Sequence, residues 1–317
     1  MSKSSGLGDA LWFGGYDISN DTNSVQKIAC PTNMADTTGI DKLAHERLPL
    51  QRDGDLQCTV YFNKLGAHVP LSALPRTDTI ATYAHGAALG GPAACINAKE
   101  IDYAPNRAAD GSLLINVDAQ ANGFGLEWGV LLTPGKRTDA AATNGASLDG
   151  GAGFSTPAVP GSGVTATNTS PLPATVVVSA GTVTNVTVNG VSVGSGDGTY
   201  TVPPSGTIAV TYSVAPTWTW TLQSPYGLQA YLQVFAFTGT DATVKLQDSA
   251  DNASFADVAS AAFVQITTTT PQAQRIAISN AATVRRYVRA VTVTTGGFTS
   301  LTFAVMFNRN PVAGVAF

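Results

Sequence analysis

Apolar and polar residues alternate in short runs along most of this chain. Between Leu56 and Asn63, the residues Leu56, Cys58, Val60 and Phe62 interleave with Gln57, Thr59 and Asn63. A period of two is the mark of a half-buried strand. Further strands are predicted over 77–84, 94–103, 113–119 and 124–132, with turns at Asp110-Gly111 and Asn122-Gly123. In the last of these Phe124, Leu126, Trp128, Val130 and Leu132 are expected to share one face. Short helices are expected at Asp41 to Arg47 and at His68 to Leu74, while the first 55 residues otherwise read as an irregular arm.

The middle of the chain repeats the pattern on a smaller scale. Strands are expected at 174–179, 183–188, 199–202 and 207–213, separated by Asn189-Gly190, Gly196-Asp197-Gly198 and Pro203-Pro204-Ser205-Gly206. Beyond them, Leu228, Ala230, Leu232, Val234 and Ala236 alternate with Tyr231, Phe235 and Phe237, so both faces of that strand look covered. Strands at 283–293 and 298–307, joined through Gly296-Gly297, close the chain. The fold class is mostly β.

Charge divides these elements into regions. From 141 to 225 there is no Lys or Arg, and 139–173 is rich in Gly, Ala, Ser, Thr and Pro, the composition of a linker. The divisions expected are 1–140, a linker 141–173, a small module 174–222 and a final β-domain 223–317. Over all 317 residues only 12% are charged, against about 25% in ordinary globular chains. Such a surface loses little ion hydration on contact, which suits a protein packed against copies of itself. The net charge of -4 and the lack of basic clusters argue against stable nucleic-acid binding. No apolar run of about 20 residues is present to span a bilayer, and no signal peptide is visible.

Candidate chemistry is sparse. Cys30, Cys58 and Cys95 have neither paired nor zinc-ligand spacing and read as reduced, buried thiols. His45, His68 and His85 stand apart from any ligand motif, and no nucleophile elbow or phosphate-binding loop is found. The chain is therefore expected to be no enzyme, with no catalytic, cofactor or metal residues. Asp248, Asp251, Asn252 and Asp257 could hold Ca²⁺, but they lack the Gly and closing Glu of an EF-hand and fit a hairpin loop better. Trp218 and Trp220 share a strand face, as a sugar-stacking platform or, more simply, as aromatic packing between domains. Arg285, Tyr287 and Arg289 would also share a face, either gripping acidic groups across a subunit interface or charging an edge strand.

Several segments carry a family resemblance. Residues 35–48, from Ala35-Asp36-Thr37-Thr38-Gly39 to Glu46-Arg47-Leu48, followed by Arg52-Asp53-Gly54-Asp55-Leu56, resemble the tail tube proteins of long-tailed bacteriophages. Leu71 to Asp78, Ala108 to Leu113, Asn122 to Gly129, Gly227 to Tyr231 and Arg285 to Arg289 are similar to major tail proteins of siphoviruses infecting actinobacteria. The resemblance covers about three quarters of the chain. It implies a sandwich or barrel-like tube domain with a short flanking helix and an inserted Ig-like or other small β module. Its implied partners are copies of itself, in rings of six or pseudo-sixfold rings of three, and other tail proteins, with DNA passing through the lumen. The implied place is the virion tail, assembled in the host cytoplasm. The final β-domain is either a second tube-type domain or an outer one. The rival readings are a carbohydrate-binding virion or cell-surface protein and a capsid decoration protein.

Overall fold

The computed structural model describes residues 5–72 and 78–310. One strand organises the N-terminal part. Pro92–Arg107 serves two sheets, because its register shifts between positions 100 and 102 and the strand bends there. Its first part pairs with Thr79–Ala84 on one side and Glu127–Leu131 on the other. Its second part pairs with Leu113–Ala121, which passes hydrogen bonds on to Asp55–Tyr61 and then to Thr22–Ala29. The alternating residues Leu56, Cys58 and Val60 do point into the core, facing Phe13, Ala81, Ala94 and Ile96 across the layers. The helix His68–Ser72 lays Leu71 over one end. The expected residue Leu74 of that helix and Thr77 of the next strand lie outside the described residues.

From Glu127–Leu131 the same sheet continues into C-terminal strands. Phe298–Arg309 pairs with it, then Leu228–Gly239, then Gln272–Ala277. The N- and C-terminal regions are thus joined by unbroken backbone hydrogen bonding. The sheet curls strongly, and its hydrogen-bonded path stays open from Tyr16–Asp17 at one end to Gln272–Ala277 at the other. The two ends come close at Gly15, where a Cβ would lie 2.3 Å from the Gln272 amide nitrogen and 2.4 Å from the Val234 oxygen. Only glycine fits that approach. Leu228–Gly239 is covered on both faces, as its sequence predicts. Leu228, Ala230, Leu232 and Val234 join one core, and Tyr231 joins another inside the curl with Trp12, Ile80 and Met306. The outer core is closed by a second sheet of Leu148–Asp149, Tyr287–Val293, Thr243–Ser249 and Ala256–Ala262, making a sandwich.

The middle module is two four-stranded sheets around Ala174, Val176, Val186, Val202, Trp218 and Trp220. The predicted strands are present, turned at Asn189-Gly190 through positive φ at both residues. Thr165–Thr167, Val191–Gly194 and Thr217–Ser224 complete it. One sheet ends on Val284–Arg285, lent by the C-terminal region.

Some expected elements differ from the structure. The segment 141–173 is more than a spacer: it contributes Phe154 and Leu172 to the module core. Asn168 there is fully buried and donates to the carbonyls of Leu172, Val202 and Pro203 at 2.9, 3.1 and 3.1 Å. These bonds supply what the low apolar content withholds. The first residues are not an irregular arm throughout, since the strand Ala10–Phe13 buries Leu11, Trp12 and Phe13. No helix forms over 41–47. That stretch offers no apolar stripe to bury, and a helix so short is marginal alone. A hairpin of Thr32–Asp36 with Arg47–Arg52 takes its place.

Candidate functional site

The hairpin 32–52 is the feature of the surface that the body of the protein does not account for. Among the described residues its strands pair only with each other. Every residue from 39 to 53 is exposed, including Ile40, Leu43, Leu48 and Leu50, and Met34 is exposed on the facing strand. The tip is nevertheless built. The Asp36 carboxylate accepts from the Thr38 amide at 3.0 Å and meets His45 Nδ1 at 3.0 Å. The Glu46 amide donates to Thr38 Oγ1 at 2.9 Å, and the Thr37 amide to the Glu46 carbonyl at 2.9 Å. The Thr38 hydroxyl and amide hold the Asp36 carboxyl below its ordinary range. A fixed scaffold thus displays large apolar side chains to solvent, the arrangement of a docking element.

The three residues singled out near the C-terminus are divided by the structure. Arg285 is exposed on the edge strand of the module, its amide donating to Asp248 Oδ2 at 2.7 Å. Tyr287 and Arg289 lie on the next strand. Arg289 donates through Nε and Nη2 to Gln247 Oε1, at 3.1 and 2.8 Å, and lies 3.9 Å over the Phe255 ring. The residue the sequence reading passed over is Arg286. It forks onto Asp149 at 2.7 and 2.9 Å and also donates to the Gly151 carbonyl at 3.0 Å. The alternation contained the signal, for Arg286 falls on the opposite side from 285, 287 and 289, where a charge must find a partner. Arg309 lies beside it and donates to the carbonyls of Arg285 and Arg286 at 2.7 and 3.0 Å; burial lowers its pKa to about 10.

A second ionic cluster lies inside the curled sheet. Arg275 donates to Glu127 Oε1 and to the Tyr231 hydroxyl, both at 3.0 Å, and the Tyr231 hydroxyl donates to Glu127 Oε2. Arg275 also stacks 3.7 Å from the Phe124 ring. Burial first, then the Glu127 charge, pushes the Tyr231 phenol upward. Glu127 is only 3% exposed. The predicted face of 124–132 is corrected accordingly. Leu126 and Leu132 are buried, but so are Glu127 and Leu131 from the other face, and Trp128 is half exposed. Because Arg275 and Tyr231 satisfy it, Glu127 can take an inward position that alternation alone assigns to an apolar residue.

The remaining candidates are engaged locally. Trp218 and Trp220 pack edge to face at 5.5 Å in the module core, 9% and 6% exposed, and present no open stacking platform. They pack within the module rather than between domains. In the acidic loop, Asp251 accepts from the amides of Ser254 and Ala253, Asp257 from Lys245 and Gln247, and Asn252 from Ser147. The groups serve turn and cross-strand bonds and do not converge. His68 meets the Tyr103 hydroxyl at 2.5 Å and His85 meets Asp9 at 2.7 Å. Cys58 and Cys95 are buried and Cys30 is partly so. Among the described residues no helix is long and apolar enough to cross a membrane.

No protein-family model matches the sequence, and no curated protein matches it. Among solved structures, the alignment with the crystal structure of the SPP1 Dit (gp 19.1) protein spans 95% of this chain and 99% of that one. That structure is described as a paradigm of hub adsorption apparatus in Gram-positive infecting phages. The identity is 9% and the TM-score 0.25, a likeness that carries no argument about this chain.

Proposed function

We propose that this chain is a non-enzymatic structural subunit of a long bacteriophage tail, a major tail protein that stacks with copies of itself into rings around a DNA channel. The observation that carries the reading is the hairpin 32–52, a hydrogen-bonded arm whose Met34, Ile40, Leu43, Leu48 and Leu50 are exposed. Exposing so many large apolar groups to water on one ordered element is unfavourable, and a partner surface that covers them removes that cost. The low charge of the chain supports permanent packing, since its surface is cheap to desolvate. Six chains make a ring if one of the two joined β-bodies faces the channel, and three if both do. The middle module, with no Lys or Arg, points outward in either arrangement.

The test is to replace residues 37–46 by a two-residue Asn-Gly turn and compare the purified proteins by negative-stain microscopy. The full chain forms rings or tubes and the short-armed variant stays dispersed. Identical tubes from both would sink the assignment of the arm.

A further inference from the structure

The strand Asp55–Tyr61 begins, at the root of the hairpin 32–52, on a carboxylate that the fold leaves half satisfied. Asp55 is only 8% exposed. Its Oδ2 accepts from Lys27 Nζ at 2.5 Å and from Gln57 Nε2 at 3.3 Å. Its Oδ1 is enclosed and has no donor. Asp118 repeats the arrangement on the neighbouring strand, for its Oδ1 is also enclosed without a donor. Strand register brings the two acids together. Lys27, Gln57 and Asp118 form one row across three strands, and Asp55 lies two residues before Gln57 on the same face. The two carboxyls hydrogen-bond each other. An ionised carboxylate can only accept, so that bond requires a proton on one of the pair.

We infer that Asp55 and Asp118 share a single proton, and that this proton fastens the root of the hairpin. The charged groups around the pair come from each neighbouring element. Lys27 on Thr22–Ala29 is bound to Asp55, and Asp53 at the end of the hairpin acts on Lys27. Asp102 lies opposite Asp118, while Lys99, opposite Gln120, is held by Asp78 at 3.6 Å. One ammonium cannot balance two adjoining carboxylates. Burial, and then the Asp55 charge, accordingly raise the Asp118 carboxyl above its ordinary 3.8. With the proton in place, the chain Asp118–Asp55–Lys27 crosses three strands. Thr22–Ala29 enters the hairpin and Asp55–Tyr61 leaves it, with Ala29 opposite Asp55 and the Asp53 amide donating to the Pro31 carbonyl at 2.9 Å. Both legs are thereby tied to Leu113–Ala121. As pH rises through the raised value the proton is lost to water, and two like charges face each other. The root is firm in mild acid and looser at higher pH. This is a property of the single chain and stands whether or not copies assemble.

Carbon-13 NMR of the aspartate carboxyl carbons, followed across a pH titration, tests the shared proton. The two acids should titrate as one unit in two steps, the upper one above the ordinary aspartate range. Asp118→Asn should remove the upper step, and Lys27→Met, which takes away the neighbouring cation, should move it to higher pH. Two independent ordinary steps in the unaltered chain, or an upper step that survives Asp118→Asn, would overturn the inference. So would an upper step erased by added Ca²⁺, which would give the space between the carboxyls to a metal ion. Hydrogen exchange, corrected for the pH dependence of intrinsic exchange, tests the fastening. Protection over 22–36 and 47–61 should rise as pH falls through the upper step, while Thr243–Ser249 in the other sheet keeps its own. Asp118→Asn, whose amide donates at any pH, should hold the higher protection throughout. An upper step with no change in protection at the root, or an equal change in Thr243–Ser249, would overturn the fastening.

Discussion

Arg286 holds Asp149 through two hydrogen bonds, at 2.7 and 2.9 Å, within the C-terminal sandwich, where Leu148–Asp149 pairs with Tyr287–Val293. The same guanidinium reaches the carbonyls of Gly151 and Phe154, and Phe154 belongs to the module core. Replacing Arg286 by Ala should lower stability by about 1.5–3 kcal/mol, the range for charged hydrogen bonds. Arg285→Ala, an exposed change one residue away, should stay within about 0.5 kcal/mol. Urea denaturation of both variants checks the contrast, and equal losses would contradict it. The Asp149 carboxyl is held below its ordinary 3.8, chiefly by Arg286. A depressed acid contributes stability above its unfolded value and loses it as pH falls through the folded value. The cost of Arg286→Ala should therefore shrink in acid.

Glu127 and Arg275 predict a larger effect. Glu127 is buried and the Arg275 side chain is only 10% exposed, and the pair spans the N- and C-terminal parts of one sheet. Glu127→Ala takes the carboxylate from a largely covered guanidinium and should cost about 3–5 kcal/mol. The joint change Glu127→Leu/Arg275→Met should cost far less, because it removes both charges and fills the space. Thermal unfolding of the single and double variants measures this. A double variant as unstable as the single would show that the network itself, rather than an abandoned charge, sets the stability.

Asp118 predicts the opposite sign. Burial, and then the neighbouring Asp55 charge, raise its pKa above 3.8. A raised acid penalises the folded state above its folded pKa, and the penalty disappears as pH falls through that value. Asp118→Asn should stabilise the chain at neutral pH, with the gain fading in acid. A destabilised variant at pH 7 would mean the carboxylate makes a favourable contact that outweighs this repulsion.

Much of the fold was legible where a single physical rule governs. Alternation located Leu56, Cys58 and Val60 in the core, and two-sided apolarity located Leu228 to Val234 between two cores. The turn chemistry at Asn189-Gly190 located the module hairpin. What escaped were long-range matters. Glu127 is buried because of Arg275, 148 positions away, and no local pattern carries that information. The hairpin 32–52 was misread because Asp41 to Arg47 has helix-forming residues but nothing for a helix to pack on. The joining of Glu127–Leu131 to Phe298–Arg309 likewise depends on partners far apart in sequence.

In the proposed assembly, copies of this chain associate through apolar contact. Exposed ion pairs add only about 0–1 kcal/mol each, whereas apolar burial yields roughly 25 cal/mol per Å² and is not screened by salt. Sedimentation velocity of the full chain across a concentration series, in low salt and in near-molar NaCl, tests this most directly. Large assemblies are expected, with a fraction that rises with concentration and persists in high salt. A single monomer boundary at every concentration, or assemblies that dissolve in NaCl, would contradict it.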